Sequence, residues 1–234
     1  MKSVLISIQP KWCELIASGK KTVEVRKTRP KIETPFKCYI YCTNTKPYLV
    51  WGDVFRGNWE TEFTSISGYN RKDAEKIWDV FNGKVIGEFI CTEITEFESE
   101  FVDDDCYEYV ASLDYDEDGD ATGFIEWSND SDFSYESTDF YKKCCVKYEE
   151  LKKYMGYGIN QFYAWHISDL VIYDEPKELS EFYTFCPEWE KEYFTAKCLR
   201  CKYYFSNCAD MRHECTVEGE KPLKRPPQSW CYVE

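Results

Sequence analysis

From Val85 to Tyr141 the chain has no lysine and no arginine, while 19 residues of that stretch are Asp or Glu. The whole chain has a formal net charge of −14, which on its own speaks against a polyanionic partner. The charge is segregated, however. Because one stretch holds so much of the acid, the remainder is net basic. The first fifty residues carry ten Lys or Arg against three acids. A local anion site requires such a concentration of positive charge.

Other absences bound the class. No apolar run approaches the ~18 residues of a membrane-spanning helix. The N-terminus enters a strand-like segment with no signal-peptide pattern. A cytoplasmic chain with no membrane partner is expected. Histidine occurs twice, at positions 166 and 213. His166, in Trp165-His166-Ile167, should face away from Trp165 and is expected to be a satisfied core or edge histidine, not a base. Aromatics are abundant at 18%, within a hydrophobic fraction of 43%, so a substantial core is within reach of a 234-residue chain. Cysteine is also abundant, with 13 residues. The odd count and the missing secretion signal argue against a disulfide scaffold. Most of the eight cysteines before residue 190 (among them Cys13, Cys38, Cys42 and Cys91) are expected to be buried thiols packing as small hydrophobes.

The most informative segment lies near the start. Val4-Leu5-Ile6-Ser7-Ile8-Gln9 is a short apolar strand. Pro10 suits the first turn of a helix, and Trp12, Leu15 and Ile16 share one helical face. Gly19 is a natural left-handed stop. Gly19-Lys20-Lys21-Thr22-Val23-Glu24-Val25-Arg26 then turns into a second strand. Side chains alternate along a strand, so Val23 and Val25 face a core while Thr22, Glu24 and Arg26 face the other way. A carboxylate beside a guanidinium, with Lys21 at the strand entrance, makes a polar site for a base, a phosphate or an amide. Ser7 and Gln9 share a strand face and are expected to point into the same space.

The G-x-K-x-x-E-x-R pattern after a strand and a short helix resembles the signature of ASCH domains, which have a PUA-like β-barrel fold. SIQPKWCELIASGKKTVEVRKTRP at the start and YAWHISDLVIYDEPKEL at 163–179 both resemble that family, in the right order. The resemblance covers residues 1–183 with an acidic insertion at about 96–139. It implies an α+β fold, a mixed barrel with short helices, and recognition of RNA or a modified nucleoside, in some members with hydrolysis. On this reading Lys21 and Arg26 contact a phosphate or base carbonyl, and Glu24 accepts from a base N–H. Ser7 and Gln9 add neutral hydrogen bonds, and Tyr41 or Trp165 stacks. Replacing Lys21 or Arg26 is expected to weaken binding and leave stability little changed. Some similar ASCH proteins are amidohydrolases on N-acetylated cytidine, with a lysine where Lys21 stands and a threonine nucleophile where this chain has Glu24. A carboxylate cannot take that threonine's part in acyl transfer. Binding without turnover is therefore the leading expectation. Hydrolysis of an acylated nucleoside or of RNA, with Lys21 and Glu24 in the site, is the alternative. A protein-interaction module using the acidic insertion is a second alternative.

Further along, Lys37–Thr43 alternates Cys38, Ile40 and Cys42 against Tyr39 and Tyr41, as a strand does. Residues 44–68 suggest a long loop or an irregular hairpin carrying Tyr48, Trp51, Phe55 and Trp59, aromatics that cap the core or stack on bases. A helix is expected over Asn70–Phe81, a strand over Lys84–Glu93, a helix over 147–155 and a late strand over Phe162–Ile172, broken at Asp174-Glu175-Pro176. Asp114 to Asp120 matches the first half of a calcium loop. Ile125 stands where a bidentate Glu is needed, so a solvated loop is expected.

The C-terminal segment, 184–234, reads as a separate cysteine-rich, zinc-ribbon-like module. Cys198-x-x-Cys201 is a metal-ligand knuckle, and a second thiolate pair completes tetrahedral zinc. Cys215 and Cys231 are the expected second pair, with Cys208 or His213 as the alternative. So short a segment with few aliphatics buries little core, and structural zinc would supply its folding energy.

Overall fold

A computed structural model describes residues 3–52, 62–103, 106–111, 114–115, 121–122, 139–156, 161–184 and 221–233. Strand β1 (Ser3–Ile8) is buried throughout. Helix α1 (Pro10–Ala17) follows, with Pro10 in its first turn and Cys13 and Ile16 on its buried side. Gly19 turns the chain at φ +71, a value that costs glycine little because it has no Cβ to clash. Strand β2 (Val23–Arg26) comes next. This strand–helix–glycine–strand unit is the one that the sequence pattern implies.

Strand β3 (Phe36–Cys42) runs parallel to β1. Strands β4 (Tyr48–Gly52), β5 (Glu62–Ile66) and β6 (Asp79–Val80) form a second, three-stranded sheet, with the one-turn α2 (Arg71–Ala74) between β5 and β6. The long helix expected over Asn70–Phe81 is not formed. Asn70 caps a single turn by accepting from the Asp73 N–H at 3.0 Å. Val80 then pairs with Val50, and the Phe81 N–H donates to the Leu49 carbonyl. Strand pairing with β4 claims the residues that the helical stripe would have used. The region expected as a long loop or irregular hairpin holds the antiparallel pair β4 and β5, in register from Tyr48–Ile66 to Gly52–Glu62. Phe55 and Trp59 lie outside the described residues.

Strand β7 (Val85–Asp103) is longer than expected and pairs with β8 (Cys106–Ala111). Strands β9 (Asp114–Tyr115) and β10 (Ala121–Thr122) form a small antiparallel pair where the calcium-loop pattern begins; residues 116–120 lie outside the described set. Helices α3 (Asp139–Cys144) and α4 (Tyr148–Met155) follow, and α4 ends at Gly156 as expected. Strand β11 (Gln161–Lys177) continues through Asp174-Glu175-Pro176 instead of breaking there. Register shifts along its pairing with β7 absorb the irregularity. The chain then adds β12 (Tyr183–Thr184), β13 (Lys221–Pro222) and β14 (Trp230–Val233).

These strands build one nine-stranded mixed sheet in the order β13-β12-β14-β1-β3-β7-β11-β2, with β8 attached to β7. Few helices accompany it, as in an α+β fold. Residues 221–233, expected in a separate module, belong to this sheet: β14 pairs antiparallel with β1 from Ser3–Val233 to Ile6–Trp230. Among the described residues no helix is long and apolar enough to cross a membrane.

Alternation gives the sheet two apolar faces. Val4, Ile6, Ile8, Cys38, Ile40, Cys42, Phe89 and Trp165 meet in a first core. Leu5, Tyr41, Val85, Phe182 and Val233 form a second on the opposite face of β1 and β3. Val23 and Val25 enter a third with Phe97, Phe140, Leu151 and Phe162, covered by α3 and α4. Each fully buried large aliphatic side chain stabilises by ~1.5–3 kcal/mol. Cys13, Cys38, Cys42 and Cys91 are buried free thiols within the first core.

Candidate functional site

Strand β2 carries two kinds of side chain on its two faces, and both are buried. Val23 and Val25 pack in the third core. Glu24 and Arg26 lie on the other face, beside the first core, because Glu24 pairs across the ladder with Trp165 and Arg26 with Tyr163. Lys21 is 1% exposed and Glu24 and Arg26 are each 6% exposed. The polar face is thus a buried ionic cluster and not a solvated strand surface.

Glu24 stands between the two cations. Its Oε1 is 3.0 Å from an Arg26 Nη and its Oε2 is 3.4 Å from Lys21 Nζ. Lys21 also donates to the Cys144 carbonyl at 2.6 Å and lies 5.2 Å from the Trp12 ring centre. Arg26 donates to the Ser7 carbonyl at 2.6 Å. Two charges in low dielectric lose several kcal/mol of solvation each, and close pairing with extra hydrogen bonds offsets it. One carboxylate for two cations leaves a net positive charge inside.

Two donors stay unsatisfied. Arg26 Nε and Trp165 Nε1 are buried with no hydrogen-bond partner. Trp165 stands directly across the ladder from Glu24, and Arg26 is the next residue on the same face of β2. A buried orphan donor costs ~1–3 kcal/mol, and such groups are rare enough in folded proteins to ask for a reason. The cluster is therefore short of acceptors. A group offering carbonyl or phosphate oxygens would match what it lacks.

The other expected residues are placed differently. The Ser7 side chain donates to the Pro227 carbonyl at 2.7 Å, so only its backbone oxygen reaches Arg26. Gln9 is exposed and precedes α1 without a side-chain capping bond. Tyr41 packs in the second core, on the opposite face of the sheet, with Leu5 and Phe182 nearby; burial pushes its phenol pKa up. Tyr41 and Gln9 are thus not brought to the cluster, whereas Lys21, Glu24, Arg26 and Trp165 are. His166 is hydrogen-bonded to Thr95 Oγ1 at 2.8 Å, and burial holds its imidazole pKa below the usual value. It is a satisfied histidine, as its position in the strand suggested.

Sequence reasoning missed three contributors. The Cys144 carbonyl comes from the end of α3, 123 residues from Lys21. Tyr154 of α4 lies close to Arg26; burial raises its phenol pKa and the guanidinium tempers that rise. Tyr154 is 41% exposed, so it stands at the solvent edge of the cluster. Trp230 of β14 packs 6.2 Å from Trp165 and donates to Thr28 Oγ1 at 3.0 Å, tying down the loop after β2. No short-range pattern links these residues to the motif.

Of the expected zinc ligands only Cys231 is described. It lies in β14 against the second core, and burial pushes its thiol up to about 11. Cys198, Cys201, Cys208, Cys215 and His213 lie outside the described residues. Among the described residues no three His, Cys, Asp or Glu side chains are grouped to hold a metal ion.

A family model described as the ASCH domain matches residues 6–233. Among solved structures the chain is similar to an ASCH protein from Zymomonas mobilis, at 15% identity over 76% of this chain and 73% of that one, with a TM-score of 0.39. A Tyr-to-Phe variant of the Zymomonas protein matches at 16% identity over 76% and 77%, with a TM-score of 0.40. No curated protein matches the chain.

Proposed function

Because the chain belongs to the ASCH domain family, we propose that it binds RNA or a modified nucleoside at the Lys21–Glu24–Arg26 cluster, in a PUA-like wrap of the sheet around the first core. The observation that carries this reading is the pair of orphan buried donors, Arg26 Nε and Trp165 Nε1, beside a carboxylate acceptor. A nucleobase presents carbonyl acceptors next to N–H donors, which is the complement of that set. Entry is past the half-exposed Tyr154. Glu24 accepts from the base, and Arg26 and Trp165 donate to it.

Trp165→Phe tests this directly, since it removes one orphan donor and keeps an aromatic ring in the core. A charge-free hydrogen bond lost from a ligand costs ~0.5–1.5 kcal/mol, so affinity for an RNA or nucleoside ligand should fall about three- to tenfold. Thermal stability should fall, because Trp165 is fully buried and the smaller ring leaves a cavity in the first core, so affinity is to be read on the folded variant. Unchanged affinity would separate Trp165 Nε1 from the ligand and remove the main support. The same titration run with N4-acetylcytidine under product detection decides between binding and catalysis. Binding without turnover is expected, because Glu24 is already engaged by two cations and no threonine nucleophile is present. Turnover abolished by Glu24→Gln would establish hydrolysis instead.

The proposal also includes a structural zinc held by Cys198, Cys201 and Cys215. Cys208 is the better fourth ligand than Cys231, which packs in the main sheet.

A further inference from the structure

Asn82-Gly83 is the only Asn-Gly step in the sequence. A glycine after asparagine has no side chain to shield its backbone nitrogen, so that nitrogen can attack the asparagine amide. Here the step lies between β6 and β7, and its reacting groups are all held. Asn82 is 0% exposed. Its Oδ1 accepts the Leu49 N–H at 2.6 Å. Its Nδ2 donates to the Thr45 carbonyl at 2.6 Å and to the Pro47 carbonyl at 3.0 Å. The Gly83 N–H donates to the Cys42 carbonyl at 2.8 Å. An Arg71 Nη donates to the Asn82 backbone carbonyl at 3.3 Å.

These bonds have two consequences. They latch the second sheet to the main one, because Thr45, Pro47 and Leu49 lead into β4 while Cys42 ends β3 and Gly83 leads into β7. They also block the reaction. The Gly83 nitrogen has to leave Cys42, and the Asn82 amide has to turn away from Thr45, Pro47 and Leu49, before the two can meet. Behind the latch lies a small core of Val50, Ile66, Ala74 and Val80. A unit with so little buried apolar surface opens before a large sheet does.

We propose that Asn82-Gly83 is a self-modification site that reacts only when the second sheet opens, and that the reaction then unlatches that sheet irreversibly. In the open form the Gly83 nitrogen gives its proton to solvent and bonds to Asn82 Cγ. The Cγ–Nδ2 bond breaks, and the nitrogen takes a proton from water and leaves as ammonia. Water then opens the cyclic imide at either carbonyl, to aspartate or to isoaspartate. Neither product closes the latch. A carboxylate has no proton to donate to Thr45 and Pro47, and burying its charge against two carbonyl oxygens is unfavourable. Isoaspartate also lengthens the backbone at the turn. The site is independent of what binds at the Lys21–Glu24–Arg26 cluster.

The test incubates the full chain in mildly alkaline buffer, folded or unfolded in urea, beside a synthetic peptide spanning residues 77–84. Trypsin cleaves after Lys76 and Lys84 and releases the same peptide from the chain, so the mass gain from replacing –NH2 by –OH is read directly. The unfolded chain should match the free peptide. The folded chain should react on the order of a hundredfold more slowly, the closed-to-open ratio of a locally opening unit. Ile66→Val, which thins the small core, should speed the folded reaction about two- to tenfold, and Val146→Ala in the third core should not. In the modified fraction of the folded parent, hydrogen exchange should find β4 and β5 open and β1 and β3 still protected. Asn82→Asp should reproduce that pattern. A folded chain that reacts as fast as the peptide would overturn the protection. Ile66→Val at the parental rate would overturn the opening of the second sheet as the controlling step. A modified fraction with β4 and β5 still protected would overturn the unlatching.

Discussion

Glu24 is the shared anion of two buried cations. Its two oxygens face Arg26 at 3.0 Å and Lys21 at 3.4 Å, and all three groups are buried. Replacing it with glutamine keeps the shape and leaves two buried cations without an anion. Breaking a buried pair in this way costs ~3–5 kcal/mol, so Glu24→Gln should lower the urea midpoint well below that of the parent. A midpoint equal to the parent's would show that water reaches Lys21 and Arg26. The same burial revises the expectation that Lys21 and Arg26 substitutions leave stability untouched. Each side chain holds a distant carbonyl, Cys144 for one and Ser7 for the other, and truncation orphans Glu24 in part. Ligand binding and stability therefore have to be measured side by side for every member of the cluster, fully buried Trp165 included.

At the scale of elements, strand β7 organises the sheet by pairing with β3 on one side and β11 on the other. Gly87 lies where both neighbours press closest. It pairs with Ile40 and Ile172, and a Cβ placed there would be 2.4 Å from the Val171 carbonyl oxygen. That oxygen is backbone and cannot swing aside. Gly87→Ala should therefore push β7 and β11 apart and cost ~1–3 kcal/mol, seen as a lower denaturant midpoint with an unchanged m-value. A variant of parental stability would mean that the register shift between Ser168 and Val171 can slide to make room. Elements were legible in the sequence where the pattern was local. β1, α1, the Gly19 turn, β2, β3 and α4 all follow from period and capping. The failures share a cause. Trp78 to Phe81 fit a helical stripe, yet Val80 and Phe81 bond to β4 across some thirty residues of chain. Pairing with a distant strand outweighs a helical preference worth a few tenths of a kcal/mol per residue.

The whole molecule is held together from both ends. β14 lies against β1, and Trp230 packs toward Trp165 at the buried cluster. The segment between β12 and β13, outside the described residues, carries Cys198, Cys201, Cys208 and Cys215. A zinc ion held there would add folding energy to that segment. The purified protein should accordingly contain about one zinc per chain. A strong chelator should remove the metal and expose the 185–220 segment to protease, while the sheet, whose strands pair without it, keeps its cooperative melt. Metal analysis that finds no zinc, with the segment resistant to protease in chelator, would rule the metal out.

The sequence alone determined the local unit around the motif and the parity of its faces, because the two-residue period of a strand and the left-handed turn at Gly19 are properties of neighbouring residues. Lys21, Glu24 and Arg26 were marked as one constellation, and Trp165 was marked as a candidate beside them. Only the tertiary structure decided what lies opposite that face. A strand's period says which side a carboxylate takes, not whether water or another strand awaits it. Here β11 brings Trp165 across from Glu24, α3 supplies the Cys144 carbonyl and α4 supplies Tyr154. The same parity that grouped Ser7 and Gln9 with the cluster could not show that the Ser7 hydroxyl turns to Pro227, or that Tyr41 belongs to the second core. Those outcomes depend on long-range pairings, which set burial, and burial converts a polar strand face into an ionic cluster short of acceptors.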